Sequence, residues 1–349
     1  MVQIYLRPLG LIFGQDASEM IAGGLAFSLG GMPHIGFVAA EEIIRDGKAI
    51  SRHRIGVAEL REHPLIEEVT RVRPKFAGFS LDQVRIMGIV NVTPDSFSDG
   101  GKFDVAEAAV AHGRMMAEQG ADILDIGGES TRPGSDKISI DQERSRIMPV
   151  IAALASEHVV SVDTRKSTLM LEAAAVGAKI VNDVSALGFD EASAGVVAKS
   201  DLPVILMHAQ GNPRTMQLAP KYEDVALDVY DSLSVSIAKA EAAGIARSHI
   251  CIDPGFGFGK SFQHNFDVMR QLTLFHGLGV ALMVGLSRKG FVGAVTGEKT
   301  ASKRIAGSLG GALQCAMMGA HLLRVHDVVE TVQGLAMFNA VLHPDSVDV

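Results

Sequence analysis

The chain has 349 residues, of which 47% are hydrophobic and 37 are glycine, and its formal net charge is −8. A single α/β barrel commonly takes about 250 residues, so the length suits one barrel with an extension. The acidic balance argues against a general binder of nucleic acid or membrane surfaces, although a local basic pocket could still hold a small anionic substrate.

Residues 1–85 show no regular alternation of strands and helices. We expect a small extension of a few strands, followed by a charged helical stretch around EVTRV (68–72). The segment 20–40 is uncharged and long enough to cross a bilayer, but its five glycines favour two strands around Gly30-Gly31.

Asp16 and Glu19 interrupt the early apolar stretch, and the two cysteines form no CxxC motif. We therefore expect a cytoplasmic protein without a membrane span.

From residue 86 onward, short apolar runs alternate with longer helix-compatible segments, and residues 86–349 are predicted to form one domain. The runs are rich in Val, Ile and Leu without strict alternation, as parallel strands covered on both faces are. Eight such units predict an α/β fold, a (β/α)8 TIM barrel, with an open doubly wound sheet as the alternative. Because all eight strands follow residue 85, we expect the barrel to fold without residues 1–80. The predicted strands are 86–92, 122–127, 159–163, 179–184, 203–208, 249–253, 280–285 and 321–326.

Polar residues follow almost every predicted strand, where a TIM barrel places its active site. Asp163, Asn182 and Asp253 close apolar runs and would be costly to bury unpaired. Carboxylates and an amide suit a flat heterocycle with several N–H donors and a neighbouring carbonyl, such as the aminopyrimidinone ring of a pterin. A metal-binding carboxylate site is the competing interpretation. Glu129 and His208 fit the simpler view that strand ends are polar because they leave the core.

The last strand carries a second candidate site. Arg324 and His326 are two residues apart and share one face, and barrel closure would bring Asn91 of the first strand beside them. Arginine offers a fixed fork of donors to phosphate oxygens, and TIM barrels often bind phosphate near their last strands. The pattern predicts an anion site, with a structural pairing of Arg324 and His326 to nearby acids as the alternative.

Two loops, 91–103 and 129–139, are long for a compact barrel, and long loops at this position are often lids. The first contains Phe97 and Asp99, and the second contains Thr131, Arg132 and Pro133. The glycine-rich segment DPGFGFGK (253–260) lacks the GxxxxGK[ST] pattern of a phosphate loop. We interpret it as a close-packed turn beside the ring site.

Seven blocks in these regions closely resemble the successive signature blocks of dihydropteroate synthases. The resemblance runs from about Ile86 to the C-terminus and keeps the family's order. MHAQG (207–211) departs from it, because many members have MHMQG. The blocks are IMGIVNVTPDSFSDGG (86–101), GADILDIGGESTRPG (120–134), SVDTRK (161–166), VNDVSAL (181–187), DPGFGFGK (253–260), VGLSRKGFVG (284–293) and RVHDV (324–328).

The resemblance implies a role for each candidate residue. The residues implied to bind the pterin are Asp163, Asn182, Val184, Met207, Asp253, Phe258, Gly285, Lys289 and Arg324. Those implied to bind the diphosphate are Asn91, Thr131, Arg132, Arg324 and His326, with Asn91 also facing Mg²⁺. Those implied to line the aminobenzoate site are Phe97, Pro133, Ser287 and Lys289. Asp99, Asp163 and Lys289 are implied to be catalytic.

The implied reaction joins (7,8-dihydropterin-6-yl)methyl diphosphate to 4-aminobenzoate and releases diphosphate by an SN1-like displacement. The resemblance further implies Mg²⁺ as cofactor, a homodimer, and sulfonamides as inhibitors. From the acidic charge balance we expect neither nucleic acid nor membrane as partner. Two alternatives remain open at this point. One is a methyltetrahydrofolate-dependent methyltransferase, which uses a similar barrel, and the other is a non-catalytic homologue that binds a pterin.

Overall fold

The computed structural model describes residues 2–93, 102–130, 137–211, 216 and 220–342. The extension forms a four-stranded antiparallel sheet in which β3 pairs with β1, β2 and β4. Gly30 and Gly31, with φ of +61° and +78°, connect β2 to β3, as the glycines of this segment predicted. The elements are β1 Val2–Phe13, α1 Gly14–Ala22, β2 Phe27–Leu29, β3 Met32–Asp46, β4 Ala49–Gly56, α2 Val57–Leu60 and α3 Ile66–Thr70.

Eight parallel strands then close into a barrel, with helices between them, and the predicted (β/α)8 fold is confirmed. The last strand pairs with the first, which closes the sheet. The strands are β5 Arg85–Asn91, β6 Ile123–Gly127, β7 Val159–Asp163, β8 Ile180–Asp183, β9 Val204–Met207, β10 Ile250–Asp253, β11 Ala281–Val284 and β12 Leu322–Val325. The helices are α4 Lys102–Glu118, α5 Ile140–Leu154, α6 Ser167–Ala175, α7 Ser193–Ser200, α8 Val225–Ala242, α9 Phe262–Arg270, α10 Gly290–Thr296, α11 Ile305–Met317 and α12 Val328–Leu342.

The barrel strands are buried on both faces, which explains their uninterrupted apolar runs. Outward-facing residues such as Val90 and Val162 pack against the helices in the large core. Inward-facing residues near the strand beginnings, such as Met87, Ile123 and Met283, form a separate cluster inside the barrel. Towards the carboxyl ends the inward positions become polar, and this change places the candidate site at that end. Among the described residues, no helix is both long and apolar enough to cross a membrane.

The chain between the extension and β5 closes the amino end of the barrel. Phe76 and Leu81, at 1% and 4% exposure, belong to the same cluster as Met87 and Ile123. Phe76 and Phe79 exchange backbone hydrogen bonds of 3.0 Å, which hold this short turn in place. Residues 76–81 thus contribute to the barrel floor, so a truncation that spares the floor has to end before Phe76.

Ionic and aromatic contacts fasten the extension to the flank of the barrel along α8. The Arg45 guanidinium contacts Asp228 at 2.7 Å, Glu223 at 3.1 Å and Asp231 at 3.3 Å. The Tyr5 hydroxyl donates to Asp231 at 3.0 Å, and the Tyr5 ring packs edge-on against Tyr230 of α8. The extension is therefore an integral part of the packed molecule.

Replacing Phe76 with alanine should lower the free energy of unfolding by about 3–5 kcal/mol, because it leaves a cavity in the barrel floor. The matched control is Phe79→Ala, since Phe79 lies three residues away and is only partly buried. Urea denaturation followed by circular dichroism measures both variants. Equal losses for the two would contradict the assignment of Phe76 to the barrel core.

Candidate active site

The polar residues predicted to read a heterocycle converge at the carboxyl end of the barrel. Asp163 ends β7 and is the register partner of Asn182 on β8, while Asp253 ends β10 beside Met207 of β9. Asn182 and Asp253 are 2% and 4% exposed. Val184 directly follows β8 and is partly buried. Hydrogen-bond acceptors and apolar side chains therefore lie together at the carboxyl ends of four neighbouring strands.

Arg324 of β12 lies among these acids. Its Nε donates to Asp125 Oδ2 at 2.6 Å, and its Nη2 donates to Asp163 Oδ2 at 2.8 Å. Sequence reasoning missed Asp125, because it considered strand ends, whereas Asp125 lies in the middle of β6. An acid within the apolar run ILDIG was an available signal, since an unpaired buried carboxylate would be costly.

Burial dominates the electrostatics of the site. It raises the pKa of Asp163 to about 7, with Arg324 opposing the shift and Asp125 adding to it. Burial also raises the pKa of Asp253, against the opposing effects of the Gly255 N–H and Lys289. Carboxylates withdrawn from water in this way gain more from N–H donors than exposed ones do, so the site is suited to a ring with a donor-rich edge.

The segment DPGFGFGK is a close-packed turn, as its sequence predicted. A Cβ atom at Gly255, where φ is +70°, would lie 1.9 Å from the His208 carbonyl oxygen. Lys260 Nζ, fully buried, donates to His208 Nδ1 at 2.9 Å and to the Gly255 carbonyl at 3.0 Å. Burial lowers the pKa of Lys260 to about 7 and that of His208 to about 2, which leaves the histidine as a neutral acceptor. This network holds the turn that carries Asp253.

Lys289 lies against this turn. Its Nζ is 4.1 Å from the centre of the Phe258 ring, a cation–π contact. The preceding residue, Arg288, has a φ of +58° and turns its side chain away to Asp327. Gly285 lies between β12 and β10, since a Cβ there would be 3.8 Å from both Arg324 Cδ and Asp253 Oδ2.

Three residues of the predicted anion site, Asn91, Arg324 and His326, lie in the described part of the chain. β12 pairs with β5, so Arg324 and His326 adjoin the strand that ends in Asn91. His326 Nδ1 and the Ser287 hydroxyl are 3.1 Å apart, which joins a predicted diphosphate residue to a predicted aminobenzoate residue. Arg324 pairs with two acids, as the structural alternative predicted for it, and the anion site stays a prediction.

Five predicted site residues lie outside the described residues: Phe97, Asp99, Thr131, Arg132 and Pro133. Within the described ranges, no group of three or more His, Cys, Asp or Glu residues is arranged to hold a metal ion. The Asn91 amide oxygen is a hard donor of the kind that Mg²⁺ accepts, and Mg²⁺ commonly completes its shell with water and phosphate oxygens. Glu129 pairs with Arg165 at 2.8 Å. Like His208, which pairs with Lys260, it therefore has a partner within the protein.

Known proteins resemble this chain in sequence and in fold. The family model described as pterin binding enzyme matches residues 87–326. Dihydropteroate synthase of Escherichia coli (strain K12) is 46% identical over 269 residues, which are 76% of this chain and 95% of that protein. A Xanthomonas albilineans dihydropteroate synthase structure with 4-aminobenzoic acid has a TM-score of 0.73 at 46% identity, and covers 79% of this chain and 99% of its own.

A second Xanthomonas albilineans structure is a complex with 7,8-dihydropteroate. Its TM-score is 0.71 at 44% identity, and it covers 79% of this chain and 100% of its own. The chain belongs to the dihydropteroate synthase family of pterin-binding enzymes.

Proposed function

We propose that this protein condenses (7,8-dihydropterin-6-yl)methyl diphosphate with 4-aminobenzoate to give 7,8-dihydropteroate and diphosphate, a step of folate synthesis. The observation that carries the proposal is the set of buried acceptors around Arg324 at the barrel mouth. Asp163, Asp253 and the amide of Asn182 accept the N–H donors of the aminopyrimidinone edge. Met207, Val184 and Phe258 supply apolar surface to the ring faces.

The same acids favour the displacement itself. As the bond from the CH2 group to the diphosphate breaks, positive charge develops on that carbon and spreads into the ring. Asp163 and Asp253 stabilise this charge in a site withdrawn from water, where electrostatic effects are strong. The amine of 4-aminobenzoate is uncharged near neutral pH, so its attack requires no strong base. Lys289 and Ser287 adjoin the place where this second substrate would enter.

The leaving group is assigned to the rim between β12 and β5. Arg324, His326 and Asn91 would bind the diphosphate, together with Thr131 and Arg132 of the second loop. A Mg²⁺ ion bound there, with Asn91 as its protein ligand, would neutralise charge on the departing diphosphate. Asp99 and Phe97 of the first loop, with Pro133 of the second, are assigned to closure over the aminobenzoate site. A cytoplasmic homodimer that binds sulfonamides in place of 4-aminobenzoate completes the proposal.

The direct test incubates purified protein with both substrates and detects dihydropteroate and pyrophosphate together. A methyltetrahydrofolate-dependent methyltransferase would form neither product, but would consume a methylated folate in a parallel assay. A non-catalytic pterin binder would bind the ring by calorimetry and give no product in either assay. Either of these results would overturn the proposed reaction.

The pKa of Asp163 gives the ring site a defined pH dependence. Because N–H donors favour the ionised carboxylate, pterin binding should release a proton below about pH 7. The affinity for 6-hydroxymethylpterin should therefore rise with pH up to about 7 and level off above it. Calorimetric titration between pH 5.5 and 8 measures this dependence, with Asp163→Asn as the control that should lack it. An unchanged pH profile in Asp163→Asn would assign the dependence to another group, such as Lys260.

Replacing His326 with alanine tests the anion assignment. The variant should bind the pterin diphosphate about 10- to 150-fold more weakly, which corresponds to one charge-assisted hydrogen bond of about 1.5–3 kcal/mol. Binding of 6-hydroxymethylpterin, which carries no anion, should change little. Competition titrations with both ligands give the ratio. Equal losses for the two ligands would mean that His326 supports the ring site or the fold.

A further inference from the structure

Asp125 occupies an unusual position beneath the ring site. It lies in the middle of β6, its side chain is fully buried, and its Oδ2 accepts from both Arg324 Nε at 2.6 Å and Asn182 Nδ2 at 3.0 Å. Its second oxygen, Oδ1, has no hydrogen-bond partner within the described part of the chain. The hydroxyl of Ser161, its register partner on β7, shares this property. The Asp125 carboxylate therefore acts on the ring site indirectly, through the side chains of Arg324 and Asn182.

The contact with Asn182 fixes which atom that amide offers to a ligand. Oδ2 is already an acceptor for Arg324, so the amide has to turn its NH2 group toward Asp125. The amide oxygen, on the other side of the same planar group, is then the atom left for the ring. Asn182 consequently presents an acceptor, although an asparagine could present a donor equally well.

The contact with Arg324 fixes the plane of its guanidinium. Asp125 holds Nε from β6 while Asp163 holds Nη2 from β7, so two neighbouring strands clamp one planar group. Without Asp125, the Nε–H would be left as a buried donor, and losing one partner of a buried ion pair is strongly unfavourable. The orientation of the guanidinium would then depend on Asp163 alone.

We propose that Asp125 is a positioning residue that determines ring specificity: it commits Asn182 to act as an acceptor and holds the plane of Arg324. The site then selects heterocycles whose edge presents N–H donors, and disfavours isosteres that present carbonyl oxygens there. This inference rests on the proposed function, since it concerns the ring of the same substrate.

The test compares two ligands of nearly equal shape, 6-hydroxymethylpterin and 6-hydroxymethyllumazine, in which a carbonyl replaces the 2-amino group. The wild-type protein should prefer the pterin strongly. In Asp125→Ala, no acceptor is left to hold the NH2 group of Asn182, so its amide can turn over and the preference should fall at least tenfold. The matched control is Ser161→Ala, which alters an equally buried neighbour in the same layer and should keep the wild-type preference.

A conservative variant separates positioning from loss of packing. Asp125→Glu keeps an acceptor and should retain most of the preference, even where both affinities fall. In an Asn182→Ala background, Asp125→Ala should no longer change the ratio, because the amide through which it acts is gone. Equal loss of both ligands in Asp125→Ala, or equal loss of preference in the alanine and glutamate variants, would overturn the inference. Failure of the wild-type protein to bind 6-hydroxymethylpterin would instead count against the proposed function.

Discussion

The arrangement of the active site depends on one largely buried cation, the Arg324 guanidinium, whose side chain is 19% exposed. It reaches from β12 across the barrel to Asp125 on β6 and Asp163 on β7. A guanidinium inside a barrel is costly unless acids and acceptors surround it, and the acids in turn require the cation. This mutual requirement explains why charged residues occur within strands that are otherwise apolar. It also gives Asp163 two possible partners, the arginine and the N–H groups of a bound ring.

The N-terminal extension packs against the barrel at a distance from the active site. It lies outside the matched region 87–326, and its sheet packs against α8 through Arg45 and Tyr5. Arg52 of β4 contacts Asp224 at 2.6 Å, directly before α8. Two residues earlier, the Tyr222 hydroxyl donates to the Gly259 carbonyl in the turn that follows Asp253. The extension thus braces a helix whose preceding segment supports the pterin turn.

Much of the fold could be predicted from the sequence, because strands buried on both faces leave long apolar runs and their polar ends mark the rim. Asp163, Asn182 and Asp253 were found in this way. Asp125 was not, because its partners on β8 and β12 are 57 and 199 residues away, and only barrel closure brings them together. The docking of the extension was equally out of reach, since Arg45 and Asp228 are 183 residues apart. Local sequence patterns identify strands and helices, whereas charge pairs between residues distant in sequence become apparent only in the three-dimensional structure.

The central claim is that Arg324 links the ring site to the diphosphate site. When ring N–H donors take up part of the negative charge of Asp163, more of the positive charge of Arg324 is left for an anion at its remaining N–H donors, so the two ligands should favour one another. Calorimetric titration of 6-hydroxymethylpterin with and without pyrophosphate and Mg²⁺ measures this coupling directly. We expect pyrophosphate to tighten pterin binding about tenfold, and pterin to tighten pyrophosphate binding by the same factor, as linkage requires. In Arg324→Lys most of the coupling should disappear. Independent binding of the two ligands to the wild-type protein would contradict the account.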